Sequence, residues 1–220
     1  MDTMFNTLLQ LPLFQGLATE DLTAILGKTK LHFTKHKPDD VIVNGGTMCD
    51  RLVFILKGEV AAQTTSPDHS YSFTEYFQAP YLIEPQSLFG MATRFVSTYT
   101  ANEETHVVSI GKDLAKSELF NYDICRINYM NLISNRAQNL SKRIWINPEN
   151  DAEQRIIHFI QMLQERPVGS KILKIRMEDL AKIMNDTRTN VSKTLNSMQD
   201  KGMIELHRGG IYIPDATVLE

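Results

Sequence analysis

Cysteine is scarce in this chain of 220 residues, and its two copies, Cys49 and Cys125, stand far apart. Two cysteines are too few for a disulfide framework. Neither has a CxxC partner that would indicate a zinc, iron–sulfur or redox site. We therefore expect both thiols to be structural.

Long apolar runs are also missing, because none approaches the roughly 18 residues needed to span a bilayer. The N-terminus MDTMFNTLLQ lacks the basic start and the uninterrupted apolar core of a signal peptide. The content of 42% hydrophobic and 22% charged residues, with 11 Gly and 8 Pro, excludes a collagenous or disordered chain. The sequence predicts a cytoplasmic globular protein without a membrane partner, folded as one large domain or two small ones.

Motifs of catalysis are absent as well: the sequence holds no GxSxG, no Gly-rich loop ending in GK[ST] and no GxGxxG. His32 and His36 would lie about 13 Å apart in a strand, which is too far for one metal ion. The adjacent Glu103 and Glu104 would point to opposite faces of a strand, so they do not form a catalytic carboxylate pair. We expect no enzyme activity, no cofactor and no metal.

Excess positive charge is lacking too, since the formal net charge is −3. Residues 1–149 hold 13 Lys and Arg against 16 Asp and Glu, whereas residues 150–220 hold 10 of each. The acidity therefore lies in the first two thirds. A neutral C-terminal part can bind DNA only if its positive side chains gather on one face.

The first half of the chain contains a helical lead-in followed by β structure. Residues 8–26 carry Leu22, Ile25 and Leu26 at helical spacing, with Thr19 as an N-cap. Between about 31 and 110, short β-type runs alternate with Gly, Pro, Asn and Asp. These runs are VIVN, LVFIL, EVAAQTT, YSFTEYF and HVVSI. Their spacing predicts a small sandwich or roll.

Residues 113–146 lose the β pattern and show apolar side chains at alternating spacings of three and four, which is typical of a coiled-coil seam. The seam consists of Met130, Ile133, Ala137, Leu140 and Ile144. Such a stripe also fits one amphipathic helix packed on its own domain. The strongly polar remainder of the helix favours a homodimer. Pro148 within residues 147–151 indicates a hinge after this helix.

The last third of the chain predicts a helix-turn-helix with a wing. Residues 152–167 form an amphipathic helix, ILKIR a short strand, and MEDLAKIMN and TRTNVSKTLNSMQDKG two helices joined by a tight turn. We expect Asn185 to be left-handed at the end of the first helix and Thr187 to cap the second. Residues 203–215 alternate around Gly209-Gly210 and predict a hairpin.

The second helix of this pair has an apolar inner stripe of Val191, Leu195 and Met198. Its outer face carries short or positive side chains that could reach base edges in a major groove. On this face and at the wing, the candidate DNA-binding residues are Arg188, Thr189, Asn190, Ser192, Lys193, His207 and Arg208, with Asn196 beside them.

In order along the chain, several motifs resemble those of the Crp/Fnr family of bacterial transcription regulators, and the resemblance covers nearly all residues. The motifs are PLFQGL (12–17), DRLVFILKG (50–58), LFG (88–90) and DLAKIMNDTRTNVSKTLNSMQDKGMI (179–204). The resemblance implies an α+β fold with an N-terminal double-stranded β-helix, jelly-roll-like, as sensor. It also implies a long dimerisation helix and a C-terminal winged helix-turn-helix. The expected domains are residues 1–118, 119–147 and 148–220.

Departures from the family pattern concern its effector. In cAMP-responsive members, a Glu after the LFG-type glycine binds the ribose, and an Arg followed by a small hydroxyl residue holds the phosphate shortly before the next strand. Here Met91 takes the first position and residues 95–100 contain no Arg, while Arg94 lies too early. In the long helix of those members a Thr-Ser pair contacts the nucleobase, and at about the same position this chain has Asn139-Leu140. The N-terminal cysteines of the oxygen sensors are missing, and Thr189 and Lys193 replace the usual Glu and final Arg of the reading helix.

The sensor is therefore expected to bind something other than cAMP, or nothing. The candidate pocket residues are Phe89, Gly90, Met91, Phe95, Tyr99 and Asn139. Aromatic side chains cluster in this region, either as core packing or as the lining of an apolar cavity: Tyr76, Phe77, Tyr81, Phe89, Phe95 and Tyr99.

The resemblance implies a homodimeric transcription regulator with inverted-repeat DNA and RNA polymerase as partners and an unidentified small effector. Two alternatives stay open. One is a cAMP-responsive regulator in which Arg94 is displaced onto the phosphate. The other is a sensor or interaction protein whose winged helix binds protein instead of DNA.

Overall fold

A computed structural model describes residues 2–28, 31–146 and 151–219. It divides into two compact units, Met1–Ala61 with Phe77–Gln138 and Ala62–Tyr76 with Asn139–Glu220. The predicted hinge residues Asn147 and Pro148 lie outside the described residues. No helix in the described part of the chain is long and apolar enough to cross a membrane.

The first unit begins with two helices. Helix α1 covers Asp2–Gln10, and helix α2 covers Thr19–Lys28 with acidic residues in its first turn and Lys28 in its last. This arrangement complements the helix dipole. The α2 helix buries Leu22 and Ile25, as the helical spacing predicts. Thr19 is its first helical residue and not its N-cap, because the Ala18 carbonyl accepts the hydrogen bond from the Leu22 N–H.

Short strands follow, as the alternating runs predict. They are β1 (His32–His36), β2 (Val41–Val43), β3 (Arg51–Lys57), β4 (Glu59–Thr65), β5 (Tyr71–Gln78), β6 (Tyr81–Ile83), β7 (Thr98–Ala101) and β8 (Thr105–Gly111). In the first unit, an antiparallel sheet has the order β1-β8-β3-β6. Strand β2 pairs with β7. The five buried residues Leu52, Val53, Phe54, Val108 and Ile110 show why the central strands read as continuous apolar runs.

The long helix is present where the seam predicts it. Helix α3 covers Lys112–Ser117, and helix α4 covers Asp123–Ile144. In the first unit, Asn128 of α4 donates hydrogen bonds to the carbonyl oxygens of Leu13 and Gln15, at 3.2 and 2.8 Å. This contact fixes the start of α4 against the segment between α1 and α2.

The second unit contains the remaining elements. They are α5 (Ala152–Leu163), β9 (Lys171–Ile175), α6 (Met177–Met184), α7 (Arg188–Asp200), β10 (Glu205–His207) and β11 (Gly210–Ile213). Helices α5, α6 and α7 and the strands enclose one core, in which Ile156, Ile160, Leu180, Leu195 and Ile213 are all buried. Each such side chain contributes about 1.5–3 kcal/mol through burial.

Residues 62–76 belong to this second unit, although the sequence assigns them to the β-roll. Within the unit, Tyr71–Glu75 of β5 pairs antiparallel with Lys171–Ile175 of β9. Strand β9 pairs with β11, and β11 with β10. The alternating pattern of β5 identifies a strand, but it carries no information about which edge that strand joins.

Candidate nucleic-acid interface and sensor region

The turn between α6 and α7 is built as the sequence predicts. Asn185 adopts the left-handed conformation, with φ at 49°, and its N–H donates to the Lys182 carbonyl. The Thr187 hydroxyl oxygen accepts a hydrogen bond from the Asn190 N–H at 3.2 Å, so Thr187 is the N-cap of α7. Both features end one helix and start the next within three residues, which sets the geometry of a helix-turn-helix.

Helix α7 buries one stripe and exposes the other. Val191, Leu195 and Met198 are buried in the core of the second unit, as predicted. Outward-facing positions include Arg188, Thr189, Asn190, Lys193 and Asn196, which are exposed, and Ser192, which is half-buried. The helix therefore presents a polar, positively charged row on a face whose opposite side is anchored.

Asp186 organises the start of α7, and sequence reasoning missed it. Its carboxylate accepts hydrogen bonds from the side chain of Asn190 at 2.8 Å, the N–H of Thr187 at 2.7 Å and the guanidinium of Arg155 at 2.6 Å. The hydrogen bond from Asn190, followed by that from Thr187, lowers the pKa of Asp186. The side-chain NH₂ group of Asn190, a candidate base-reading residue, therefore already donates a hydrogen bond within the protein. An Asp beside the turn was the available signal.

Arg188 lies over an acidic neighbour. Its guanidinium is 3.7 Å from the Glu178 carboxylate, and both side chains are largely exposed. Exposed pairs of this kind contribute little to stability. The guanidinium can therefore exchange Glu178 for another acceptor, such as a base edge or a phosphate.

The wing is the hairpin of β10 and β11, with Gly209 at φ 81° in its turn. His207 and Arg208 are exposed at its tip. His207 lies 3.4 Å from the Glu205 carboxylate and packs near the Tyr212 ring. A groove of about 390 Å³ runs between the helix-turn-helix and this hairpin, with Met177, Leu195 and Leu206 in its floor.

The candidate pocket residues of the sensor lie in different surroundings. Phe95 and Tyr99 are buried in the first unit, whereas Gly90 and Met91 are exposed, Met91 completely. Phe89 packs with Phe120 and Tyr129, at ring distances of 6.0 Å to each. Asn139 is exposed and belongs to the second unit.

Several aromatic rings pack against one another inside the β-roll. The rings of Phe77 and Tyr81 stack at 4.3 Å, and Tyr81 lies 6.4 Å from Tyr99. All three side chains are at most 2% exposed. This packing agrees with the core interpretation of these residues. The interior here is filled by side chains.

Arg94 has a partner within the protein, and both thiols are buried. The guanidinium of Arg94 donates to the Gly46 carbonyl at 2.7 Å. Burial raises the pKa of both Cys49 and Cys125 to about 11, so neither is a reactive thiolate at neutral pH. Among the described residues, no group of three His, Cys, Asp or Glu side chains is placed to hold a metal ion.

The seam of α4 faces solvent over most of its length. Met130, Leu140 and Ile144 are each at least half exposed, Ala137 is exposed and Ile133 is half-buried. Trp145 follows at 84% exposure. A contiguous apolar stripe of this kind marks a surface for association.

Two protein-family models match the chain. Residues 33–122 match the cyclic nucleotide-binding domain, and residues 154–220 match the Crp-like helix-turn-helix domain. The Cyclic AMP receptor protein of Thermus thermophilus is 21% identical over 210 residues, which is 95% of each chain.

Solved structures share the fold. The Thermus thermophilus Catabolite Activator Protein has a TM-score of 0.51 at 18% identity, covering 94% of this chain and 96% of its own. The c-di-GMP-responsive regulator CLP of Xanthomonas campestris has a TM-score of 0.50 at 15% identity, covering 90% and 99%. Together with the two family matches, in this order along the chain, the fold makes this protein a member of the Crp/Fnr family of transcription regulators, with a helix-turn-helix DNA-binding domain after its cyclic nucleotide-binding-type domain.

Proposed function

We propose that this protein binds inverted-repeat promoter DNA as a homodimer, with α7 of each subunit in a major groove. The observation that carries the proposal is the α7 face itself. Arg188 and Lys193 are exposed on a helix whose opposite stripe is fully buried and whose first turn is held by Thr187 and Asp186. A rigid helix with cations on its free side fits base and phosphate readout.

The dimer is proposed from α4. Its stripe of Met130, Ile133, Ala137, Leu140 and Ile144 is mostly exposed in one copy of the chain, and a second copy would cover it through the same residues. Two-fold symmetry then matches an inverted repeat with half-sites about 34–36 Å apart. RNA polymerase is the further partner that a promoter-bound regulator of this kind would contact.

The effector of this chain is proposed to be something other than cAMP. In this respect it would differ from the relative named Cyclic AMP receptor protein in Thermus thermophilus. Arg94 is bonded to the Gly46 carbonyl, and Met91 is exposed. An anionic phosphate needs a guanidinium or a set of oriented N–H groups to offset its desolvation. The alternative, a cAMP-responsive regulator, requires Arg94 to leave Gly46 for the phosphate.

Gel retardation with promoter fragments from the source genome tests DNA binding. We expect a retarded band. The affinity of the protein for the DNA should fall by roughly 10³-fold or more between 50 and 200 mM salt, because each phosphate that the protein contacts releases its counterions. The double variant Arg188→Ala/Lys193→Ala should lose the band, and Lys57→Ala, an exposed lysine of the first unit, should keep it. Salt-insensitive or absent retardation would favour the alternative in which the winged helix binds a protein.

A further inference from the structure

Glu84 is a buried carboxylate whose hydrogen-bond donors in the described part of the chain are neutral groups. It is 3% exposed, and its oxygens accept hydrogen bonds from the Val96 N–H at 2.7 Å, the Ser97 N–H at 2.8 Å and the Ser87 hydroxyl at 2.9 Å. None of the ion pairs between described residues includes Glu84. Backbone and hydroxyl dipoles alone therefore offset the desolvation of this carboxylate.

The donors have the form of an anion-binding site. Successive backbone N–H groups aimed at one point make a concavity that favours negative charge. Val96 and Ser97 stand immediately before β7 and supply two such N–H groups from adjacent positions. Both N–H groups already donate to Glu84.

An unusual backbone conformation at Glu84 accompanies the contact of its carboxylate with the Val96 and Ser97 N–H groups. Glu84 has φ at 35°, in the left-handed region that favours glycine. Next to it, the Pro85 carbonyl accepts a hydrogen bond from the Tyr129 hydroxyl at 2.7 Å, and Gln86 is bonded to Arg136. Glu84 thereby holds in place a segment that contacts α4 in the first unit.

We propose that the Glu84 carboxylate fills a site in the β-roll that would otherwise bind a small oxyanion, such as a carboxylate or a phosphate group. The side chain thereby closes that site to external ligands. The segment 84–87 is consequently held against α4 without a bound effector. This inference goes beyond the proposed function, because its readout is anion binding and does not require DNA.

The test removes the carboxylate and supplies one from solution. Glu84→Gly keeps a residue that tolerates the left-handed conformation and leaves the three donors facing an empty space. We expect its melting temperature to fall and to recover with sodium formate, acetate or phosphate at millimolar concentrations, with chloride at equal ionic strength inactive. The wild-type protein should respond to none of these anions beyond the chloride effect.

Two controls separate a specific site from a general salt effect. Asp39→Gly makes the same kind of substitution at another acidic residue with positive φ, but an exposed one, and should show no rescue. Glu84→Gln fills the space and should be destabilised without rescue. Equal stabilisation of the wild type and Glu84→Gly by the anions, or no rescue of a folded Glu84→Gly, would overturn the proposal.

Hydrogen exchange decides the matter if Glu84→Gly fails to fold. Glu84→Gln keeps a single acceptor oxygen, so at least one of the Val96 and Ser97 amides should exchange at least tenfold faster than in the wild type. The Phe95 amide, which donates to the Thr47 carbonyl at 3.0 Å, should be unchanged. Unchanged exchange at Val96 and Ser97 would show that the carboxylate does not hold these donors.

Discussion

Glu75 and Lys171 form a buried ion pair in the second unit, with 3.2 Å between Glu75 Oε1 and Lys171 Nζ. Their side chains are 9% and 0% exposed. Glu75 also accepts a hydrogen bond from the Glu165 N–H, and Lys171 donates to the Val168 carbonyl. Burial raises the pKa of Glu75, while the ammonium of Lys171 opposes that rise. The pair fixes the register of β5 on β9.

Breaking this pair on one side should destabilise the protein strongly. Glu75→Gln leaves the Lys171 ammonium buried without its counter-charge, which costs about 3–5 kcal/mol of unfolding free energy. Urea denaturation measures the loss. The double variant Glu75→Leu/Lys171→Met removes both charges and should lie much closer to the wild type. A loss below about 1 kcal/mol for Glu75→Gln would mean that water reaches the pair.

Asp186 should make part of the stability of the second unit sensitive to acid. Its pKa is lowered in the folded state below the ordinary value of 3.8. The stability it contributes is therefore present above pH 3.8 and is lost as the pH falls through the folded pKa. Asp186→Ala should lose stability at pH 7, and its difference from the wild type should shrink as the pH is lowered toward 3. Asp200→Ala is the control on α7, and a difference that stays constant with pH would contradict the assignment.

Arg188 is expected to read one base in each half-site. A bidentate contact from Arg to guanine provides about 1–3 kcal/mol of discrimination against other bases. Arg188→Ala should therefore relax sequence preference at one position, as measured by binding-site selection. Arg208→Ala at the wing should lower affinity nearly uniformly over sequences, as phosphate contacts do. An unchanged motif with Arg188→Ala would reduce Arg188 to a phosphate contact.

Leu140 tests the proposed dimer. Aspartate in place of this half-exposed leucine would bring two like charges together across a two-fold axis, at a cost of several kcal/mol. Sedimentation of Leu140→Asp should show monomer, and DNA binding should weaken in parallel. Asn139→Asp adds the same charge one position off the seam and should remain dimeric. A dimeric Leu140→Asp would place the contact elsewhere.

Cyclic AMP should neither bind tightly nor change DNA affinity. A ligand shifts the DNA-competent population only through different affinities for the two states. The family resemblance predicts that this chain lacks the usual anchors for ribose and phosphate. Calorimetry with cAMP and cGMP, alongside DNA titrations at one fixed salt concentration, measures both quantities. Micromolar binding with a tenfold gain in DNA affinity would show that Arg94 leaves the Gly46 carbonyl for the phosphate.

Local patterns in the sequence determined the elements of this protein. The turn at Asn185, the Thr187 cap, the buried stripe of α7 and the wing around Gly209 all follow from residues within a few positions of one another. Helix periodicity and capping are short-range effects, so a single sequence is enough to read them.

Only the tertiary structure decided which distant groups meet. Three contacts join residues that lie 12 or more positions apart in the chain. They are the pairing of β5 with β9, the ion pair of Glu75 with Lys171, and the hydrogen bonds from Val96 and Ser97 to Glu84. A strand pattern does not specify its partner edge, and an acidic residue in a sequence reads as a solvated one until its surroundings are known. Burial and partner geometry, which convert such residues into structural anions, arise only when the chain has folded.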